Sequence, residues 1–77
     1  MDVAARIEHA RSLLADGNDR AAARELVDAA VDCRDPAEAR AIHQLAEIGL
    51  ARAGRFAKGN WKEALRLADL HGATRAS

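Results

Sequence analysis

Apolar residues along the chain recur at intervals of three and four, in four runs separated by Gly, Asn, Asp or Pro. Val3, Ile7, Ala10 and Leu14 fall on one helical face and predict a helix from about Asp2 to Ala15. Asp2 is placed to cap its free amides, and Gly17 to adopt the left-handed conformation that ends it. A second run, from about Asp19 to Cys33 with Asn18 or Asp19 as cap, carries the stripe Ala23, Leu26, Ala30 and Cys33, which Val27 and Val31 widen. The start of the third run is the clearest. In Asp35-Pro36-Ala37-Glu38 a capping acceptor, a proline at the first helical position and a glutamate at the third follow in the order that a helix start prefers. Pro36 also disfavours helix at the residue before it, so the second helix must stop short of it.

From there Ala41, Ile42, Leu45, Ile48 and Leu50 carry the third helix to at least Ala53, and the pattern leaves its end open between Gly54 and Gly59. Gly49 lies mid-helix, where it costs about 1 kcal/mol against alanine. With Ala46 and Ala53 it makes a face of small residues that lets a second backbone approach closely. The fourth run starts at Asn60 as cap, with Glu63 three residues on; Trp61, Ala64, Leu65, Leu67 and Ala68 supply its apolar side, and Gly72 stops it. Residues 73–77 are expected to be a disordered tail and residues 1–72 a single all-α domain. Short connections between helices of this length predict antiparallel neighbours: two helical hairpins side by side.

Composition sharpens this picture. Of 77 residues 20 are alanine, whereas Val, Ile, Leu, Met, Phe and Trp together supply 17, so the interior must be filled largely by methyl groups. A chain this short buries only about 60% of its unfolded surface. One Phe, one Trp, one Pro and no Tyr argue against a β-sandwich. No apolar run reaches the roughly 20 residues that span a bilayer, and no signal peptide is read at the start. Cys33 is the one cysteine, which excludes an intramolecular disulfide. A reducing, cytoplasmic location is the expectation. Cys33 is read as a small apolar residue near a helix end rather than as a reactive thiol.

Two stretches are alike: Gly17-Asn18-Asp19-Arg20-Ala21-Ala22-Ala23 and Gly59-Asn60-Trp61-Lys62-Glu63-Ala64-Leu65. The second resembles the start of the second helix of a tetratricopeptide repeat, in which glycine, an aromatic and alanine recur at this spacing. The resemblance implies that the glycine permits the turn between helices, that Trp61 plugs the hairpin, and that Ala64 lets the helices approach. In the first stretch Ala10, Leu13, Gly17, Ala22 and Leu26 fit the pattern, but Asp19 stands where the aromatic belongs. The two glycines are 42 residues apart, against about 34 in the family, and Arg52 and Arg55 occupy positions where small residues are expected. The implied fold is a small bundle of two such hairpins. No ligand-binding residues are carried over.

Charge is balanced in sum and unequal along the chain. Residues 1–38 hold nine acids and five bases, and residues 39–77 three acids and seven bases. The basic excess lies between Arg52 and Arg66, where Arg52, Arg55, Lys58, Lys62 and Arg66 face only Glu63, and Phe56 and Trp61 interleave. Lys58, Lys62 and Arg66 are four apart and would form one ridge on a continuous helix. Like charges at that spacing repel by about 0.2–0.5 kcal/mol per pair. Three readings compete. Phe56 and Trp61 are core anchors beneath a solvated cationic face; the segment docks an acidic partner, such as the acidic half of another copy; or it binds phosphates of nucleic acid or an anionic membrane surface, with the aromatics free to stack.

The histidines His9, His43 and His71 are dispersed, without HxxxH, CxxC or HExxH spacing. A Cys33–His43 contact across the Pro36 turn is geometrically conceivable, yet two ligands fall short of the four that structural zinc takes. No glycine-rich phosphate loop is present, and a chain of this size has little room for a deep pocket. The sequence therefore predicts neither catalysis, cofactor, metal nor small-molecule substrate. It predicts a protein–protein interaction module whose partner is another protein or itself, in a homo-oligomer such as a dimer. The alternative is a basic helical element, residues 52–66, that binds nucleic acid or an anionic surface.

Overall fold

The computed structural model describes residues 2–74, which form four α-helices and, among the described residues, no strand. They are α1 (Val3–Ala15), α2 (Asp19–Asp32), α3 (Pro36–Arg52) and α4 (Gly59–Leu70). Helix α1 packs on α2 and α3 on α4; α2 also meets both α3 and α4, and α1 meets α3. The Cα radius of gyration is 11.1 Å, against about 11.5 Å expected for a compact chain of this length. No helix is long and apolar enough to cross a membrane.

The helix boundaries follow from local chemistry. Asp2 accepts a hydrogen bond from the Ala5 amide at 2.7 Å, and Asp35 accepts one from the Ala37 amide at 2.7 Å. Both carboxylates thus cap the first turn of the helix that follows. Helices α1 and α4 end alike. Gly17 (φ 80°) and Gly72 (φ 94°) are left-handed, and the amides of Asn18 and Ala73 reach back to the carbonyls of Leu13 and Ala68. This is the Schellman closure, and glycine supplies its positive φ at no steric cost. Ala73 is buried as the residue just beyond that closure; of the tail expected over 73–77, residues 75–77 lie outside the described residues.

Helix α3 stops at Arg52, with Ala53 already extended, so neither Gly54 nor Gly59 terminates it. The expected cap of α4 is corrected from Asn60 to Lys58. The Lys62 amide bonds the Lys58 carbonyl at 3.0 Å, which brings Gly59 and Asn60 inside the first turn, and no side chain caps it. Glu63, instead of reaching back to the amides, binds Arg66.

Among the described residues, ten of the seventeen buried core residues are alanine, and the largest side chains with them are Trp61, Leu26 and Ile42. Alanine decides which way α2 and α3 face. Ala22 and Ala29 are fully buried on α2, which turns Val31 outward to 60% exposure. On α3, Ala39, Ala46 and Gly49 face inward and Ile48 is 51% exposed. Val31 and Ile48, read as members of the buried stripes, are therefore outside the core, because methyl-sized faces admit the closer helix approach.

The small face of α3 receives a side chain where a backbone was expected. A Cβ built on Gly49 would lie 2.5 Å from three carbons of the Trp61 indole. Trp61 itself is 1% exposed. Glycine at 49 thus makes the room that the one large aromatic of the core occupies. His43 adds a polar tie between the same two helices, with Nδ1 2.6 Å from Glu47 and Nε2 3.4 Å from Asp69.

Candidate functional site

The segment from Arg52 to Arg66 divides into residues that hold the fold and residues that face solvent. Arg52 belongs to the first group. Its guanidinium donates to the Leu14 carbonyl at 3.2 Å and to Asp19 at 2.9 Å. A cation is thereby placed on the carbonyl end of α1, where the helix dipole favours it, and the end of α3 is tied to the α1–α2 turn. Arg52 is consequently not a free cation of the basic segment. Arg66 is held through its Nε by Glu63 at 3.1 Å. That bond holds the Glu63 carboxyl below its ordinary range and raises the Arg66 guanidinium; Arg66 is exposed and Glu63 partly so.

Arg55, Lys58 and Lys62 are exposed and have no ion-pair partner among the described residues. Lys58 is the N-cap of α4 and Lys62 lies in its next turn, so two cations sit at the positive end of a helix dipole. Helix stability alone opposes that placement. The ridge of Lys58, Lys62 and Arg66 keeps its four-residue spacing through the Lys58–Lys62 backbone bond, with Arg66 compensated by Glu63.

The two aromatics part company. Trp61 is buried against Gly49, as a core anchor. Phe56 is 96% exposed, which corrects its reading as a second anchor. It is carried on the connection between α3 and α4, where the Ala57 amide closes a turn onto the Gly54 carbonyl at 3.0 Å. That turn holds the backbone of residues 54–57 outside the helices, so Phe56 has no core to enter.

Beside Phe56 lies a groove of about 750 Å³, open to solvent, between the start of α2 and the α3–α4 connection. Ala53, Ala57 and Asn60 line it, with the nearly inaccessible Ala23 and Trp61; Arg20, Arg52 and Arg55 are its cations and Asp19 its one carboxylate. Arg20 and Asp19 are members of this site that the sequence pattern did not single out. They sit 32 and more residues before Arg52, and nothing local in the sequence links α2's first turn to the end of α3. The Asp19–Arg52 pair makes that link.

The remaining reactive groups lie elsewhere. The Cys33 thiol is buried and donates to the Asp35 carbonyl at 3.5 Å. Burial raises its pKa above the ordinary thiol value, and the nearby Glu38 and Asp35 charges act in the same direction. His43 faces Glu47 and Asp69, so the Cys33–His43 approach considered from the sequence is not what the two side chains make. His9 lies 3.7 Å from Glu25, which Arg6 of the same helix also contacts at 3.4 Å. Arg6 reaches Asp28 as well, at 3.6 Å. No cluster of three or more His, Cys, Asp or Glu side chains among the described residues is arranged to hold a metal ion.

Comparison with known proteins returns no matching family model, no matching curated protein and no matching solved structure. The chemistry of the surface has to carry the functional argument.

Proposed function

We propose that this chain is a small, non-catalytic protein–protein interaction module, two antiparallel helical hairpins in tetratricopeptide-like outline, that docks a partner at the α3–α4 connection. The observation that carries the reading is Phe56, 96% exposed beside an open groove and flanked by unpaired cations. An aromatic side chain left wholly in water adds little to folding, and aromatic residues are enriched at the centres of protein contact surfaces. The cations at the start of α4 support the same reading, since the fold gains nothing from them there. The hairpin outline is supported by the pairing of α1 with α2 and of α3 with α4, and Trp61 and Ala64 are both buried. Gly59 departs from that resemblance: it is the first helical residue of α4 rather than a left-handed turn residue. The buried, unreactive Cys33 fits a reducing cytoplasm, and a second copy of the chain is one partner the module would accept.

The competing reading, nucleic acid or an anionic membrane at residues 52–66, draws on Arg55, Lys58 and Lys62 around Phe56. It is weakened by the burial of Trp61, which leaves one aromatic face for stacking, and by the engagement of Arg52 and Arg66 with Asp19 and Glu63. A photo-reactive phenylalanine analogue at position 56, in the cell that makes the protein, tests the choice. A discrete protein adduct from position 56, absent when the analogue replaces exposed Ala37, supports the module. Adducts confined to nucleic acid or lipid would overturn it.

A further inference from the structure

We propose that the groove between the start of α2 and the α3–α4 connection accepts a short acidic peptide segment, with an apolar side chain of that segment laid against Phe56, Ala53 and Ala57. The inference rests on the docking role of the connection and names the chemistry of what docks there.

Charge complementarity selects the occupant. Three guanidinium groups, Arg20, Arg52 and Arg55, line the groove against one carboxylate, Asp19. Arg52 and Asp19 bind each other at 2.9 Å, which leaves Arg20 and Arg55 uncompensated within the groove, and Lys58 lies three residues beyond Arg55. Glutamate or aspartate side chains in the occupant would meet these cations, whereas lysines would meet like charge. Ala53, Ala57 and the exposed ring of Phe56 supply the accessible apolar part of the lining; Ala23 and Trp61 also border it but are almost wholly buried. The lining mixes polar and apolar groups, so an occupant needs charged side chains beside an aliphatic or aromatic anchor laid against Phe56. The volume of about 750 Å³ falls within the range of about 300–1,000 Å³ in which binding clefts hold a compact ligand.

Shape argues against the other anionic partners. A bilayer surface meets protruding groups such as Phe56 and cannot fill a concavity. A nucleic acid strand needs phosphate contacts in a row and several aromatic faces, while this site offers two uncompensated arginines and one exposed aromatic.

The test uses the whole chain, isotopically labelled for amide NMR. The probe is a synthetic peptide of glutamates flanking a central leucine–phenylalanine pair; its control keeps the apolar pair and replaces the glutamates with lysines. The proposal expects the glutamate peptide to shift the amides of Arg20 and of residues 53–61 together with the Trp61 indole N–H, and to leave the α1 face unmoved. The double variant Arg20→Glu/Arg55→Glu, both positions being exposed, should keep the folded spectrum and weaken binding at least about tenfold, as like-charge juxtaposition does. Raising the salt concentration should weaken the wild-type complex too. Equal shifts from the lysine peptide would overturn the acidic preference and leave the docking role standing. No shift at the groove from either peptide, with position 56 still crosslinking to a protein, would overturn the groove as the seat of binding. Silence from both peptides and from the crosslinker would overturn both readings. Tighter binding of an oligothymidine strand at the same amides would reassign the site to nucleic acid.

Discussion

Replacing Gly49 by alanine should destabilise the protein, although helix propensity alone predicts the reverse. In an exposed helix interior the exchange favours alanine by about 1 kcal/mol. Here the new methyl carbon would stand 2.5 Å from three atoms of the Trp61 indole, about 1 Å or more inside the roughly 3.5–4.0 Å at which carbon atoms rest. The indole is 1% exposed and closely enclosed, so it has no free space to swing into. If the helices part to relieve the overlap, the cost is that of overpacking, about 1–3 kcal/mol. If Trp61 is expelled, the loss is larger. A tryptophan buries about 200 Å², which at about 25 cal/mol per Å² comes to about 5 kcal/mol. Set against the propensity gain, parting the helices leaves a net loss of up to about 2 kcal/mol and expulsion one of about 4 kcal/mol, against the roughly 4–12 kcal/mol typical of a domain of this length. Urea denaturation followed by helical circular dichroism and by the fluorescence of Trp61, the one tryptophan, measures it directly. Combining Gly49→Ala with Trp61→Leu should cost less than the sum of the two single changes, since one clash underlies both. A Gly49→Ala variant at least as stable as the parent, with unshifted fluorescence, would refute the packing of α4 on α3 through this pair.

Asp35→Ala should lower stability by about 1 kcal/mol through loss of the bond to the Ala37 amide, which a melting curve would register as a drop of about 4–8 °C. Gly17→Ala should cost about 1 kcal/mol because φ is 80° there, whereas Gly54→Ala, with negative φ and open space around it, should be neutral or slightly stabilising; paired urea midpoints check both. Cys33 should react slowly with a disulfide reagent in native buffer, faster as urea is added, since its thiol is buried and its pKa raised. The same raised pKa sets a sign: the neutral thiol is favoured in the fold, so its contribution is complete below the ordinary thiol pKa and is lost as pH rises through the higher folded value. Cys33→Ala should abolish that alkaline loss, which a pH series of urea midpoints would show.

How much could be read from the chain depends on the distance over which the determining physics acts. The ends of the helices are local events. Asp2, Asp35-Pro36, Gly17 and Gly72 act within one turn of themselves, and each does in the structure what its type and position announce. The orientation of the helices was less legible. In an alanine-rich helix several faces are nearly as apolar as one another, and close approach selects the one with the smallest side chains. Val31 and Ile48 were therefore drawn into stripes that the packing turns outward. Gly49 announced a close approach without saying that an indole would make it. The basic segment was visible as composition, yet its division was not. Arg52 finds Leu14 and Asp19 across 38 and 33 residues, and no periodicity encodes such a pairing. Phe56 escaped for the opposite reason: it lies in a connection, where helical spacing gives no information about burial.

The most direct test of the account is whether Phe56 is surplus to folding. The measurement is the urea unfolding free energy of Phe56→Ser beside that of the parent chain, read from Trp61 fluorescence. A side chain 96% exposed predicts a change within about 0.5 kcal/mol, as for surface substitutions generally. A loss of about 2 kcal/mol or more, the cost of removing buried apolar surface, would contradict it: Phe56 would then be serving the core, and the surface on which the docking proposal stands would not exist.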